Sequence, residues 1–96
     1  MLKGYDEILR KAIDTWGHKA QFEMIEEECI ELALAVHKLK RKSGDRLKKL
    51  ENVIDEIADV KIMIRQAEII FGKEAIDHRV EFKMNRLRDR LNEKVN

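Results

Sequence analysis

Two short acidic motifs hold the residues best suited to chemistry: Glu27-Glu28-Cys29-Ile30-Glu31 and Glu56-Ile57-Ala58-Asp59. Each sets two carboxylates one helical turn apart. Glu31 and Glu56 lie equally far from the Ser43-Gly44 turn, and so do Glu28 and Asp59. If both arms are helices folded back at that turn, a rise of about 1.5 Å per residue brings the four carboxylates to matching heights. Four oxygen donors without histidine or thiolate suit a hard divalent cation, Mg²⁺ first, with Mn²⁺ as a substitute. Zinc fits poorly, because Cys29 lies off the acidic edge and no His–Cys spacing exists. A di-iron bundle would need Glu-x-x-His pairs, and none occurs. There is no glycine-rich phosphate loop, and the single serine sits in the turn. Cations held by the acids would leave capacity for a polyphosphate, bridging its oxygens and activating water.

The elements that must position these acids read as four helices. Tyr5, Ile8, Leu9, Ala12, Ile13 and Trp16 follow a helical rhythm that Gly17 stops. Trp16 is read first as a core anchor and second as part of a base-stacking wall, with Gln21 as a further base-pocket candidate. A second helix is expected from His18 to Lys42, ending in the basic run Lys38-Leu39-Lys40-Arg41-Lys42 and then Gly44. Asp45 is the expected N-cap of a third helix running to Phe71. At roughly 100° per residue, both central helices show a broad apolar arc. In the second helix the arc takes in Phe22, Met24, Ile25, Cys29, Leu32, Val36 and Leu39, and in the third Val53, Ile57, Val60, Met63, Ile64 and Ala67. Glu28 and Glu56 fall inside these arcs, with Glu31 and Asp59 at their edges. Burying a lone carboxylate is expensive, so the inner pair calls for a cation or a proton. Ile30 and Leu34 on one helix, and Ala58, Ile62 and Ile69 on the other, form second apolar strips, as expected of helices that are central or pack against a partner chain. Lys61, inside an otherwise apolar arc, would snorkel or reach a phosphate.

Gly72 ends the third helix. A fourth follows from Glu74, with the stripe Ile76, Val80, Met84, Leu87, Leu91 and Val95. Its flank carries Arg79, Lys83, Arg86 and Arg90, an aligned basic edge that either faces phosphates or is solvated and partly paired to Glu93 and Asp89.

Composition agrees with an all-α fold: a four-helix, antiparallel bundle-type subunit in a single domain over residues 1–96 that oligomerises. Hydrophobic residues make up 44% and charged residues 41%, with no proline and four glycines. A net charge of +1 disfavours a dedicated nucleic-acid binder. One cysteine excludes an intrachain disulfide and fits a reducing cytosol. Met1-Leu2-Lys3-Gly4 shows no signal peptide, and no apolar run approaches the ~20 residues that cross a bilayer. The expected location is the cytoplasm, with no membrane partner.

The motif pair resembles that of the MazG-like all-α nucleoside triphosphate pyrophosphohydrolases, whose signature is Glu-Glu-x-x-Glu followed, after a variable gap, by Glu-x-x-Asp. Gln21 ahead of the acids, Glu31-Leu32, and the unit Glu56-Ile57-Ala58-Asp59-Val60 extend the likeness, which runs from about Trp16 to Arg90. The resemblance implies Mg²⁺-dependent cleavage of a nucleoside triphosphate to the (deoxy)nucleoside monophosphate and pyrophosphate, in nucleotide-pool control or house-cleaning. It further implies a homodimer or homotetramer whose sites are completed across an interface. By motif match Glu28, Glu31, Glu56 and Asp59 would hold the metal, with Glu27 as a further ligand or the catalytic base orienting the attacking water. Lys83 and Arg86 are then the phosphate-contact candidates. The last helix departs from a Lys-x-x-x-Asn pair common in that family: Leu87 stands four residues after Lys83, and Asn85 is out of register. Met24 and Val60-Lys61-Ile62 depart from the branch that cleaves phosphoribosyl-ATP. The alternative is a non-enzymatic helical interaction or oligomerisation module with a structural acidic cluster.

Overall fold

The computed structural model describes residues 2–95, and they are helical almost throughout. A short 3-10 turn, Lys3–Tyr5, leads into α1 (Asp6–Lys40), followed by α2 (Arg46–Phe71) and α3 (Lys73–Val95). The break expected at Gly17 is present inside α1, where that residue leaves helical geometry at φ 83°, ψ 164°. This backbone region is essentially reserved for glycine. Nothing lies within 4 Å of where a Cβ would stand, so space is not the obstacle to substitution there. Gly17→Ala is therefore expected to cost about 1–3 kcal/mol through backbone strain alone, measured by chemical denaturation.

The rest of α1 folds back along α2 as an antiparallel hairpin. The turn has the anticipated chemistry, with Asp45 accepting a hydrogen bond from the Lys48 backbone N–H at 3.3 Å. α1 ends at Lys40, two residues before the sequence expectation, because Arg41 turns extended. The Lys49 ammonium then donates to the carbonyls of Arg41, at 2.9 Å, and of Ser43, satisfying acceptors that the chain exposes where α1 ends.

A 3.5-residue rhythm holds the hairpin together. From Gln21 to Leu39 the residues that are not exposed are Gln21, Ile25, Glu28, Leu32, Ala35 and Leu39. From Lys49 to Met63 they are Lys49, Val53, Glu56, Val60 and Met63. Alternating steps of four and three are those of a two-stranded coiled-coil seam, where only one strip of each helix faces its partner. Cys29, Phe22, Val36 and Ile57, expected inside a broad apolar arc, are exposed because a two-helix layer covers only this seam.

The N-terminal stripe behaves in the same way. Leu9 and Ile13 are buried, whereas Tyr5, Ile8 and Trp16 are exposed. Trp16 is thus not a core anchor within this chain. Its segment is clamped at the far end, where the Arg65 guanidinium donates to both oxygens of Asp6, at 2.9 and 2.5 Å, and to Glu68 at 3.1 Å.

α3 does not close a four-helix bundle. It meets the end of α2 and makes no contact with α1 among the described residues. Ile76 is half-buried, while Val80, Met84, Leu87 and Leu91 of the expected stripe are exposed. The side chain of Val95, the last member of that stripe, lies outside the described residues. The radius of gyration is 16.9 Å, against about 12.5 Å for a compact chain of this length. No helix is long and apolar enough to cross a membrane among the described residues.

Candidate metal centre

The two helices of the hairpin bring three of the four motif acids together. Oxygens of Glu28, Glu31 and Glu56 all lie within 4.8 Å of one another. Glu28 and Glu56 are half-buried seam residues, each in a place where the heptad rhythm calls for an apolar side chain. Glu31 is exposed at the rim. Asp59 is also exposed and contributes no atom to the tight set, but its charge acts on both inner acids. Glu27 is exposed, and its charge reaches Glu28 as the weakest of the neighbouring influences.

Electrostatics rank the acids in the same order as geometry. Glu28 is pushed above the usual carboxylate range, first by burial and then by the charges of Glu31, Asp59, Glu56 and Glu27. Glu56 is raised by burial, by the charges of Glu31 and Asp59, and by direct contact with the Glu31 carboxyl. Among the described residues no cation pairs with them. Glu28 Oε2 and Glu56 Oε2 are buried without a hydrogen-bond partner. A buried acceptor left unpaired costs free energy, and two such acceptors beside a third carboxylate form a local excess of negative charge. The donor set, all carboxylate oxygen and partly open to solvent, fits a hard divalent cation that keeps some of its waters.

The remaining candidates sit elsewhere. Lys83 and Arg86 are exposed on α3, away from the acids of the same chain. Lys61 lines an apolar groove of about 690 Å³ together with Leu32, Ile57, Val60, Ile64 and Arg65. At 100° per residue this groove lies on the flank of the hairpin opposite Glu31 and Asp59. Lys61 therefore faces away from the carboxylate edge. Trp16 is 63% exposed, and Gln21 is fully enclosed at 0%. Next to Gln21 three rings meet, with Phe22 stacked on Phe71 at 5.5 Å and His18 tilted against Phe22 at 6.0 Å.

Sequence reasoning missed Gln66, the other buried polar residue of the hairpin, at 3% exposure. A signal for it was available. Gln21 and Gln66 are as symmetric about the turn as Glu28 and Asp59, and each stands two helical turns beyond its acid.

No protein-family model matches the chain, and neither does any curated protein or solved structure.

Proposed function

We propose that the chain is a divalent-cation-dependent nucleoside triphosphate pyrophosphohydrolase of MazG-like type, releasing the nucleoside monophosphate and pyrophosphate. One observation carries the reading: two buried, unpartnered carboxylate oxygens, on Glu28 and Glu56, converge with Glu31 in the seam of a helical hairpin. An acid pair with no task would be replaced by apolar residues at little cost to such a seam. Glu28, Glu31 and Glu56 would hold Mg²⁺, or Mn²⁺ in its place, with Asp59 completing the set from the rim. The metal would supply charge neutralisation for the phosphates and for the leaving pyrophosphate. Glu27, exposed and one residue before Glu28, would accept a proton from the attacking water on its own carboxylate.

The active unit is an oligomer, a dimer or a tetramer. The chain exposes 8047 Å², roughly 2,300 Å² more than a compact monomer of its mass would show. Two such chains could hide about twice that excess, which falls in the range of obligate interfaces. In the oligomer a second copy fills in the bundle, and its Lys83 and Arg86 are the candidates for phosphate contacts, with Trp16 in the wall of the base site.

The deciding experiment incubates the protein with common and damaged (d)NTPs plus Mg²⁺ and measures pyrophosphate against orthophosphate. Pyrophosphate with the monophosphate is the expected pair of products. A second reading, a non-catalytic oligomerisation module, draws on the exposed apolar face of α3. It predicts no turnover of any nucleotide by protein whose metal site is filled.

A further inference from the structure

Five buried side-chain polar atoms without partners occur among the described residues, and all belong to Gln21, Glu28, Glu56 and Gln66. The two carboxylates are accounted for above. The amides are not. Gln21 leaves both its Nε2 and its Oε1 unpaired, and Gln66 leaves its Oε1 unpaired. Buried amides with unmade hydrogen bonds are costly, and seam positions tolerate leucine or methionine without that cost.

Their placement is as informative as their burial. Gln21 lies seven residues before Glu28, and Gln66 seven after Asp59, so the amide level stands roughly 10.5 Å along the hairpin from the carboxylate level. A seven-residue step also returns each side chain to nearly the same side of its helix, within about 20°. Between the two levels come Ile25 and Met63, an apolar seam layer in which Met63 is buried and Ile25 half-buried. Charge, then apolar surface, then amides at matching heights is the order of groups along a nucleotide: phosphates, sugar and ring face, hydrogen-bonding edge of the base. Side-chain amides present a donor beside an acceptor, the arrangement that pairs bidentately with a base edge. Both amides are closed off in this chain, so a base reaches them only when the neighbouring Asp6–Trp16 segment, held at one end by the Asp6–Arg65 clamp and jointed at the other by Gly17, moves aside.

We propose that Gln21 and Gln66 together form the base-reading end of the site, contacting a nucleobase that displays a donor next to an acceptor. This rests on the nucleotide reading of the carboxylate cluster, and the test separates the two. Calorimetric titration, with Mg²⁺ present, compares the four nucleoside monophosphates with ribose 5-phosphate, which lacks the base. The wild-type chain is expected to bind at least one monophosphate about tenfold or more tighter than ribose 5-phosphate, the scale of one aligned amide–base contact. Gln66→Leu should bring that ratio close to one, leave ribose 5-phosphate and Mg²⁺ binding unchanged, and preserve helicity. Gln21→Leu should do the same. An unchanged ratio in both variants, with higher thermal stability, would mark the amides as structural and overturn the inference alone. So would a wild-type protein that binds ribose 5-phosphate as tightly as every monophosphate. A wild-type protein that binds neither class overturns the nucleotide reading itself, and the inference with it.

Discussion

Glu56→Gln should lower Mg²⁺-dependent pyrophosphate release by more than about a hundredfold, since loss even of groups that only orient metal ligands costs 10–100-fold. The same change should raise the melting temperature of the metal-free protein. Both effects share a cause. In the metal-free chain Glu56 is pressed by burial and by the Glu31 and Asp59 charges, and its Oε2 lacks a partner. Neutralising it removes repulsion from the seam while taking away one of the proposed ligands of the cation. Stability and activity thus move in opposite directions, as expected of a site that binds rather than braces. The pH dependence follows from the same groups. Glu28 and Glu56 have raised values in the folded chain, so between the usual carboxylate range and those values the folded state holds protons that the unfolded chain has released. Metal-free stability is therefore greatest at the acid end of that window and falls as pH rises through the folded values. Asp6, lowered by its hydrogen bonds to Arg65, acts with the opposite sign: its contribution is present above the ordinary aspartate value and is lost as pH falls through the depressed one. Thermal melts of wild type and Glu56→Gln across mildly acidic to neutral pH would read this, the variant losing part of the decline on the alkaline side. A variant that melted below wild type without metal would instead identify Glu56 as a structural ion-pair member.

Leu87→Glu or Leu91→Glu on α3 should convert the assembly to monomers and lower its thermal stability, by sedimentation and calorimetry. Both leucines are about half exposed, at 46% and 56%, on a helix that among the described residues meets only the end of α2. An isolated helix of 23 residues carrying Val80, Met84, Leu87 and Leu91 on one stripe gains little stability by itself. In the proposed oligomer its burial would come from a second copy, since among the described residues α3 meets only the end of α2. A glutamate there would carry charge into the middle of that contact. If wild-type protein sediments as a stable monomer, the partner-completed site is lost, and Lys83 and Arg86 have no route to the phosphates.

Much of the site was legible because its residues obey a count. Matched distances from Ser43-Gly44 bring Glu28, Glu31, Glu56 and Asp59 to common heights, and the structure sets oxygens of the first three within 4.8 Å of one another while Asp59 stays outside that set. The helical wheel also marked Glu28 and Glu56 as the inner acids, and these are the two with orphaned oxygens. The wheel overestimated how much each helix buries. A broad arc including Cys29, Phe22 and Val36 assumes neighbours on several sides, whereas a hairpin encloses a 3.5-residue strip and leaves the rest exposed. Trp16 and the α3 stripe were assigned to a core for the same reason, and this chain alone does not supply one. Asp6–Arg65, a pair 59 positions apart, left no trace in any local period. Gln66 was hidden by its type, because an isolated glutamine on a helix is ordinary until its opposite number is also buried.

The central claim is that the hairpin's carboxylates form a divalent-cation site, and direct titration tests it best. Metal-free protein titrated with Mn²⁺ and followed by electron paramagnetic resonance should show bound ion that Mg²⁺ displaces. Glu56→Gln should lose that binding while remaining helical. Mn²⁺ binding that is equally tight in wild type and Glu56→Gln, or no binding by the wild type, would contradict the account.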